Sequence, residues 1–175
     1  MTIAIFGNTL RSDTLREVKH IIDYLQQRDV EIVLSQELRH ETLYREYPSV
    51  EDYVAHTGNT IDFALSLGGD RTFLTTASMV GHLDIPILGI NCGHLGYLAE
   101  VQPGHIESVL EQLIGNHYTI EQRRMLEVTC QQDGKIASPY ALNEVAILKS
   151  GLSSMITVDV TLNGEYLHNY KADGL

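Results

Sequence analysis

Residues 65–74, LSLGGDRTFL, run an apolar segment into two glycines, a carboxylate, a guanidinium and a hydroxyl. Gly68 and Gly69 let backbone N–H groups approach an anion with no β-carbon in the way. Asp70 stands beside them as a base or a metal ligand. Thr72 is placed to cap a following helix, whose N-terminus adds partial positive charge. Phosphate binding with a carboxylate alongside is the chemistry such a corner suits. A turn in which Gly-Gly-Asp merely ends a strand uses the same residue types. Arg71 is the departure, a bulky cation where a phosphate corner favours a small residue.

Two further stretches carry polar groups out of pattern. GINCGHLGYLAE (residues 89–100) interleaves three glycines with an asparagine and a histidine. Gly89, Gly93 and Gly96 do not have the spacing of a dinucleotide fingerprint, and no G-x-x-x-x-G-K-[ST] run exists, which excludes a P-loop. His94 has no second His or Cys at metal-ligand spacing, so zinc is not expected. In ALNEVAI (residues 141–147), Asn143 and Glu144 interrupt an apolar run, and neighbours on a strand point to opposite faces. One of the pair is free to meet a ligand while the other ties two parts of the molecule together. An edge strand with one polar face is the plainer alternative.

The elements that position these residues alternate between strand and helix over the first two-thirds of the chain. Strands are expected at residues 2–7, 31–36, 61–69 and 85–91. A helix with Leu15, Val18, Ile22 and Leu25 on one stripe follows the first strand, with Thr14 and Glu17 as a candidate capping box. Residues 37–59 read as a polar loop with a short helix, and residues 72–81 as a helix. Pro103 and Gly115 bracket another, with Ile106, Val109, Leu110, Leu113 and Ile114 inward. Such alternation calls for a mostly parallel sheet covered on both faces.

From about Glu121 the period changes. Leu126, Val128 and Cys130 alternate with polar residues, and Asp133-Gly134 suits a hairpin turn. Residues 141–149 form a strand candidate. Ile156, Val158, Val160 and Leu162 alternate ahead of Asn163-Gly164, a second tight turn. The expected fold class is therefore α/β. A mostly parallel, doubly wound domain over residues 1–120 precedes the start of an antiparallel β-rich domain over residues 121–175, which reads as unfinished.

Composition narrows the partners. A net charge of −11 over 175 residues argues against nucleic acid, whose phosphates reward a basic face. Any nucleotide must then be held by local devices such as amides, helix N-termini or a metal ion. No apolar run approaches a membrane span, and the N-terminus reads as a strand rather than a leader. Cys92 and Cys130 lack paired spacing, so reduced thiols and a cytoplasmic setting are expected.

Taken in series, GGD-x-T-F-L from Gly68, G-I-N-x-G-x-L-G-Y-L from Gly89, A-L-N-E from Ala141 and D-G-L from Asp173 resemble the ATP-dependent NAD kinases. The similarity runs through nearly the whole chain. Gly-Gly-Asp alone is shared with diacylglycerol kinases and phosphofructokinases; the four motifs in order are much more specific. The resemblance implies transfer of the γ-phosphoryl group of ATP, or of polyphosphate in some members, to the 2′-hydroxyl of the adenosine ribose of NAD, giving NADP. It makes Asp70 the base that takes the hydroxyl proton. Gly68 and Gly69 would lie against phosphate, with Arg71 and Thr72 beside them, and Phe73 would pack near the nucleotide. Asn143 and Glu144 would contact NAD, and Asp173 would bind at the same site, from the same or a neighbouring subunit. It also implies Mg²⁺ or another divalent cation, ATP as donor, and a homo-oligomer for the complete protein. No residue is singled out as a metal ligand.

Two departures from the family pattern bear on activity. The family has glycine where this chain has Arg71. At positive φ an arginine there would cost about 1–2 kcal/mol. Its side chain would project into the phosphate space, pair with Asp70, or substitute as a phosphate clamp. Relatives also continue beyond Asp-Gly-Leu, so this polypeptide is expected to show little kinase activity. A nucleotide-binding module with disabled catalysis, or a lipid or sugar kinase sharing the Gly-Gly-Asp turn, are the competing functions.

Overall fold

Strands with near-continuous apolar residues need cover on both faces, and the structure supplies it. The computed structural model describes residues 1–41, 44–57, 60–93, 96–130, 139–151 and 154–175, except for the side chains of residues 56 and 57. The chain falls into two compact units, Met1–Leu142 and Asn143–Leu175.

In the first unit, β1 (Thr2–Gly7), β2 (Glu31–Leu34), β3 (Phe63–Gly68) and β4 (Ile87–Asn91) form a parallel sheet in the order β2-β1-β3-β4. The helices between and after them are α1 (Ser12–Gln26), α2 (Gln36–His40), α3 (Val50–Thr57), α4 (Asp70–Val80) and α5 (Ile106–Ile114). Alternate strand residues part to the two faces. Ile3, Ile5, Leu65, Leu67 and Ile90 pack with Val18, Ile21 and Leu25 of α1 and with Ile106, Leu110 and Leu113 of α5. Ala4, Phe6, Val33 and Ala64 pack on the other side with Val50 and Tyr53 of α3 and Val80 of α4. Each fully buried aliphatic side chain contributes about 1.5–3 kcal/mol. Ser66 faces the α4 side, where the Thr76 hydroxyl lies 3.0 Å from it, so its polar atom is satisfied.

This strand order has a functional consequence. From β1 the chain first steps outward to β2, then returns to β1's other side to lay down β3 and β4. The order reverses between β1 and β3, and in open α/β sheets ligands bind outside the carboxyl ends of the strands at such a switch.

Several boundaries differ from the sequence expectation. The second strand stops at Leu34 because the Ser35 hydroxyl accepts a bond from Leu38 N at 3.4 Å and starts α2. The presumed loop of residues 37–59 contains most of α2 and all of α3, the latter capped by Ser49, whose hydroxyl accepts from Asp52 N at 3.0 Å. The Thr14–Glu17 capping box does not form. Helix α1 begins at Ser12 with Arg11 at the N-cap, and Thr14 is buried inside its first turn. Pro103 opens a 3₁₀ turn, Pro103–His105, that leads into α5.

Of the strand expected around Leu126, Val128 and Cys130, the described residues form β5 (Leu126–Glu127), antiparallel to β6 (Tyr140–Ala141). Val128 N adds a bond to Pro139 O at 2.7 Å. The Asp133-Gly134 turn lies outside the described residues. In the second unit, β7 (Ile156–Leu162) and β8 (Glu165–Ala172) form the expected hairpin. Asn163 and Gly164 both take positive φ, 53° and 85°, as that tight turn demands. Residues 141–149 are not one strand: pairing is confined to Ala141 in β6 and a bridge at Leu148. Among the described residues no helix is long and apolar enough to cross a membrane.

Candidate functional site

Strand β3 delivers the Gly-Gly-Asp turn to the carboxyl edge of the sheet. Gly68 ends the strand at φ 157°, and a β-carbon on it would collide with the Thr72 hydroxyl. Gly69 is the N-cap of α4, and its carbonyl accepts from Phe73 N at 3.1 Å. Asp70 is therefore the first helical residue. Thr72 sits within the first turn and does not cap it, and the helix begins two residues earlier than expected. The sequence hid this start because the N-cap uses a backbone carbonyl and no side-chain signature.

The Asp70 carboxylate is occupied. Its Oδ1 accepts from Leu98 N at 2.9 Å and its Oδ2 from Tyr97 N at 3.0 Å. Hydrogen bonds from the amides of Tyr97, Leu98 and Ala99 stabilise the charged form and hold the carboxyl below its ordinary range, against a small opposing effect of burial. Gly96 makes this seat sterically possible, since a β-carbon there would overlap the Asp70 carboxylate.

The loop that supplies these amides follows β4. Asn91 is buried, and its side-chain oxygen accepts from Gly93 N at 2.9 Å. Cys92 N donates to Gly68 O at 3.2 Å, which ties the loop's start to the end of β3. Past Tyr97 and Leu98 the chain returns along β4, with Asn91 N bonded to Val101 O at 2.7 Å. Gly89 admits that return: a β-carbon there would lie 2.7 Å from Ala99 Cα and 2.9 Å from the Phe73 ring. Phe73 thus packs its ring against Gly89. The glycines of the 89–100 stretch serve close packing around Asp70 and Phe73. His94 lies outside the described residues.

Arg71 occupies the second position of α4 and is exposed. The backbone stays in an allowed region with Arg71 toward solvent, so the cost conditional on positive φ does not apply: the positive-φ residues other than glycine among those described are Asp29, Asp84, Asn116 and Asn163. Asp70 owes its depressed ionisation to amides and not to the neighbouring guanidinium, and among the described residues the two form no ion pair.

Asn143, Glu144 and Asp173 belong to the second unit, Asn143–Leu175. Asn143 and Glu144 lie in irregular chain, not in the strand expected for them. Just beyond them residues 147–149 pair with residues 173–175. Ile147 and Leu175 exchange backbone bonds at 2.7 and 2.9 Å, and Lys149 N donates to Asp173 O at 3.0 Å. The Lys149 ammonium also meets the Asp173 carboxylate at 2.7 Å. The pairing sets Asp173 beside Lys149, and Asn143 and Glu144 lie outside the paired segment. Gly174 permits the approach, since a β-carbon on it would stand 2.6 Å from Ile147 O.

A family model described as the ATP-NAD kinase N-terminal domain matches residues 3–118. The chain belongs to the NAD kinase family. It is 40% identical over 178 residues to a NAD kinase of Bacteroides fragilis and 35% identical over 182 residues to one of Flavobacterium johnsoniae. Each match takes in 100% of this chain, which spans 61% and 62% of the lengths of these curated relatives. The fold is also that of yeast NADH kinase, solved in complex with NADH: TM-score 0.82 at 20% identity, over 99% of this chain and 56% of the other. A parallel α/β sheet followed by small antiparallel sheets is common ground with this family.

Sequence reasoning did not single out four residues of these surroundings. The amides of Tyr97 and Leu98 carry no residue-type signal. Lys149 was visible only as a cation closing an apolar run. Arg11 carries no signal in the sequence pattern, and its Nη1 lies 2.9 Å from where a β-carbon on Gly93 would be.

Proposed function

We propose that this chain carries the catalytic corner of a NAD kinase, which moves the γ-phosphoryl group of ATP to the 2′-hydroxyl of the adenosine ribose of NAD and releases NADP. One observation carries the reading. A carboxylate with a rigid backbone seat stands at the glycine-lined outlet of a central parallel strand, beside the switch in strand order.

In this reading Asp70 accepts the ribose hydroxyl proton as the oxygen attacks phosphorus. A sugar hydroxyl is a poor nucleophile, and a carboxylate within hydrogen-bond reach helps its proton leave. In-line transfer depends on positioning and on stabilisation of charge over the phosphoryl oxygens. Gly69 gives the phosphate chain room: among the described residues nothing lies within 4 Å of where its β-carbon would be. The amides of the first turn of α4, Arg71 and Thr72 included, face that side, and Phe73 steadies the loop under the nucleotide. Asn143, Glu144 and Asp173, in the β-rich domain we assign to residues 121–175, take the NAD side. Lys149 holds Asp173 in place there.

Mg²⁺ or another divalent cation would supply further charge neutralisation when bound. Among the described residues no three His, Cys, Asp or Glu side chains group to hold a metal ion. The donors of Asp70 are turned to amides. The described side chains do not by themselves make a metal cage. The free thiols of Cys92 and Cys130 fit a reducing, cytoplasmic setting.

A second reading, a nucleotide-binding module without turnover, is favoured by the occupied Asp70 carboxylate. A substrate panel separates the possibilities. With NAD, diacylglycerol and fructose 6-phosphate offered alongside labelled ATP, the kinase reading expects label in NADP alone. Binding of ATP and NAD by calorimetry without transfer supports the module. Label in the lipid or the sugar overturns the assignment.

A further inference from the structure

The Arg11 side chain joins the segment after β1 to the loop after β4. Arg11 follows β1, yet its Nη1, Cζ and Nη2 lie 2.9, 3.3 and 3.5 Å from where a β-carbon on Gly93 would be, in the loop after β4. β3 lies between β1 and β4 in the sheet, so the two loops are separated by about 10 Å, twice the usual strand spacing. Reaching Gly93 from the β1 side brings the side chain toward the carboxyl end of β3, the strand that lies between. The flanking loops are fastened to that end as well. Asn8 N donates to Leu67 O at 3.4 Å from one side, and Cys92 N to Gly68 O at 3.2 Å from the other. Arg11 is also among the charges that act on the buried Cys92 thiol, in accord with this placement.

The guanidinium is available to a ligand. Its ion pair among the described residues is with Asp13, at 3.7 Å between two half-exposed side chains, a weak pairing in water. A planar fork of N–H donors suits phosphate oxygens. The ligand that most needs it is the one with most charge. A chain of net charge −11 repels a triphosphate more than the diphosphate bridge of a dinucleotide, and local cations must offset that.

We propose that Arg11 is a phosphate-positioning residue for the phosphoryl donor, set toward the outlet of β3 so that a triphosphate is held between its guanidinium and the glycine turn at Gly69. This rests on the kinase reading, because it takes the donor's phosphates to lie at that turn. Gly93 is then the residue whose lack of a side chain lets the arginine lie there.

The test is calorimetry with three probes, ATP, inorganic tripolyphosphate and NAD, on the wild type, Arg11→Gln, Arg11→Lys and Arg16→Gln. Arg16 lies on the same helix and also pairs with Asp13, so its variant controls for loss of one positive charge. We expect Arg11→Gln to weaken ATP and tripolyphosphate about tenfold or more, the scale of a lost charge-assisted hydrogen bond. NAD affinity and melting temperature should hold, Arg11→Lys should fall between, and Arg16→Gln should match the wild type on all probes. Tripolyphosphate bound equally by Arg11→Gln and wild type overturns the proposal while leaving the kinase reading standing. An equal loss for NAD, or a parallel loss of thermal stability, makes Arg11 structural and overturns it too. Failure of the wild type to bind ATP or tripolyphosphate removes both readings.

Discussion

The carboxylate of Asp70 is seated by the backbone N–H of Leu98 at 2.9 Å, across 28 residues of chain. The base candidate of the glycine turn and the loop after the fourth strand are therefore one mechanical part. The loop fixes where the carboxylate points and how readily it takes a proton, and the carboxylate keeps the loop folded against the sheet. For Asp70 to accept a ribose proton, one oxygen has to share or release its amide as substrate arrives.

Gly96→Ala tests this coupling. The new β-carbon overlaps the Asp70 carboxylate, and overpacking of that kind costs about 1–3 kcal/mol. The seat opens, and the carboxyl returns toward its ordinary ionisation. In the wild type the folded carboxyl ionises below its unfolded value of about 3.9. Its contribution to stability is thus present above that pH and lost as acid carries the pH down through the folded value. A carbon-13 carboxyl titration and denaturant melts at pH 3 to 7 read both effects; an unshifted Asp70 in the variant contradicts the coupling.

Arg71→Gly is expected to destabilise. Arg71 is helical and unstrained, so glycine relieves nothing and loses about 0.5–1 kcal/mol of helix propensity. A urea midpoint that rises in the variant would show a strain that the backbone geometry does not contain.

The carboxyl edge was legible because its signal is local: an apolar strand, two glycines and an acid occupy consecutive positions. The Asp70 seat was not, since its partners are amides 27 and 28 residues away and no side-chain type marks an amide. The three glycines of residues 89–100 lack the spacing of a dinucleotide fingerprint, and each of them admits another part of the chain, Phe73 at Gly89 and Asp70 at Gly96 among them. Residues 141–149 look like a strand by apolar content. Ala141 pairs with Leu126 and residues 147–149 pair with residues 173–175, partners that a single-sequence pattern does not encode. Helix α3 had a readable start, Ser49 with Asp52 three residues on, that the surrounding polar residues concealed.

His20 links α1 to α5. Its Nε2 lies 2.8 Å from Glu107 Oε1, and that hydrogen bond, with help from Glu17, raises the imidazole's pKa over the opposing effect of burial. A raised folded value means the clip contributes fully below the unfolded pKa of about 6.5 and fades as the pH rises through the folded one. His20→Gln should therefore lower stability more at pH 5.5 than at pH 8.5. Equal losses at both values contradict this.

The two thiols should react very differently. Cys92 is buried and its pKa is pushed up to about 11, chiefly by burial, whereas Cys130 is exposed. Iodoacetamide at pH 8 should label Cys130 in the native protein and reach Cys92 only on unfolding. Rapid double labelling without loss of structure would place Cys92 elsewhere than under the loop.

The most direct test of the account is the rate of NADP formation from ATP and NAD by the protein as its host expresses it, compared with its Asp70→Asn variant, with ATP affinity measured on both. The account predicts that turnover falls by roughly 100-fold or more while ATP still binds, the scale expected for removal of a positioned base. Unchanged turnover in the variant would contradict it.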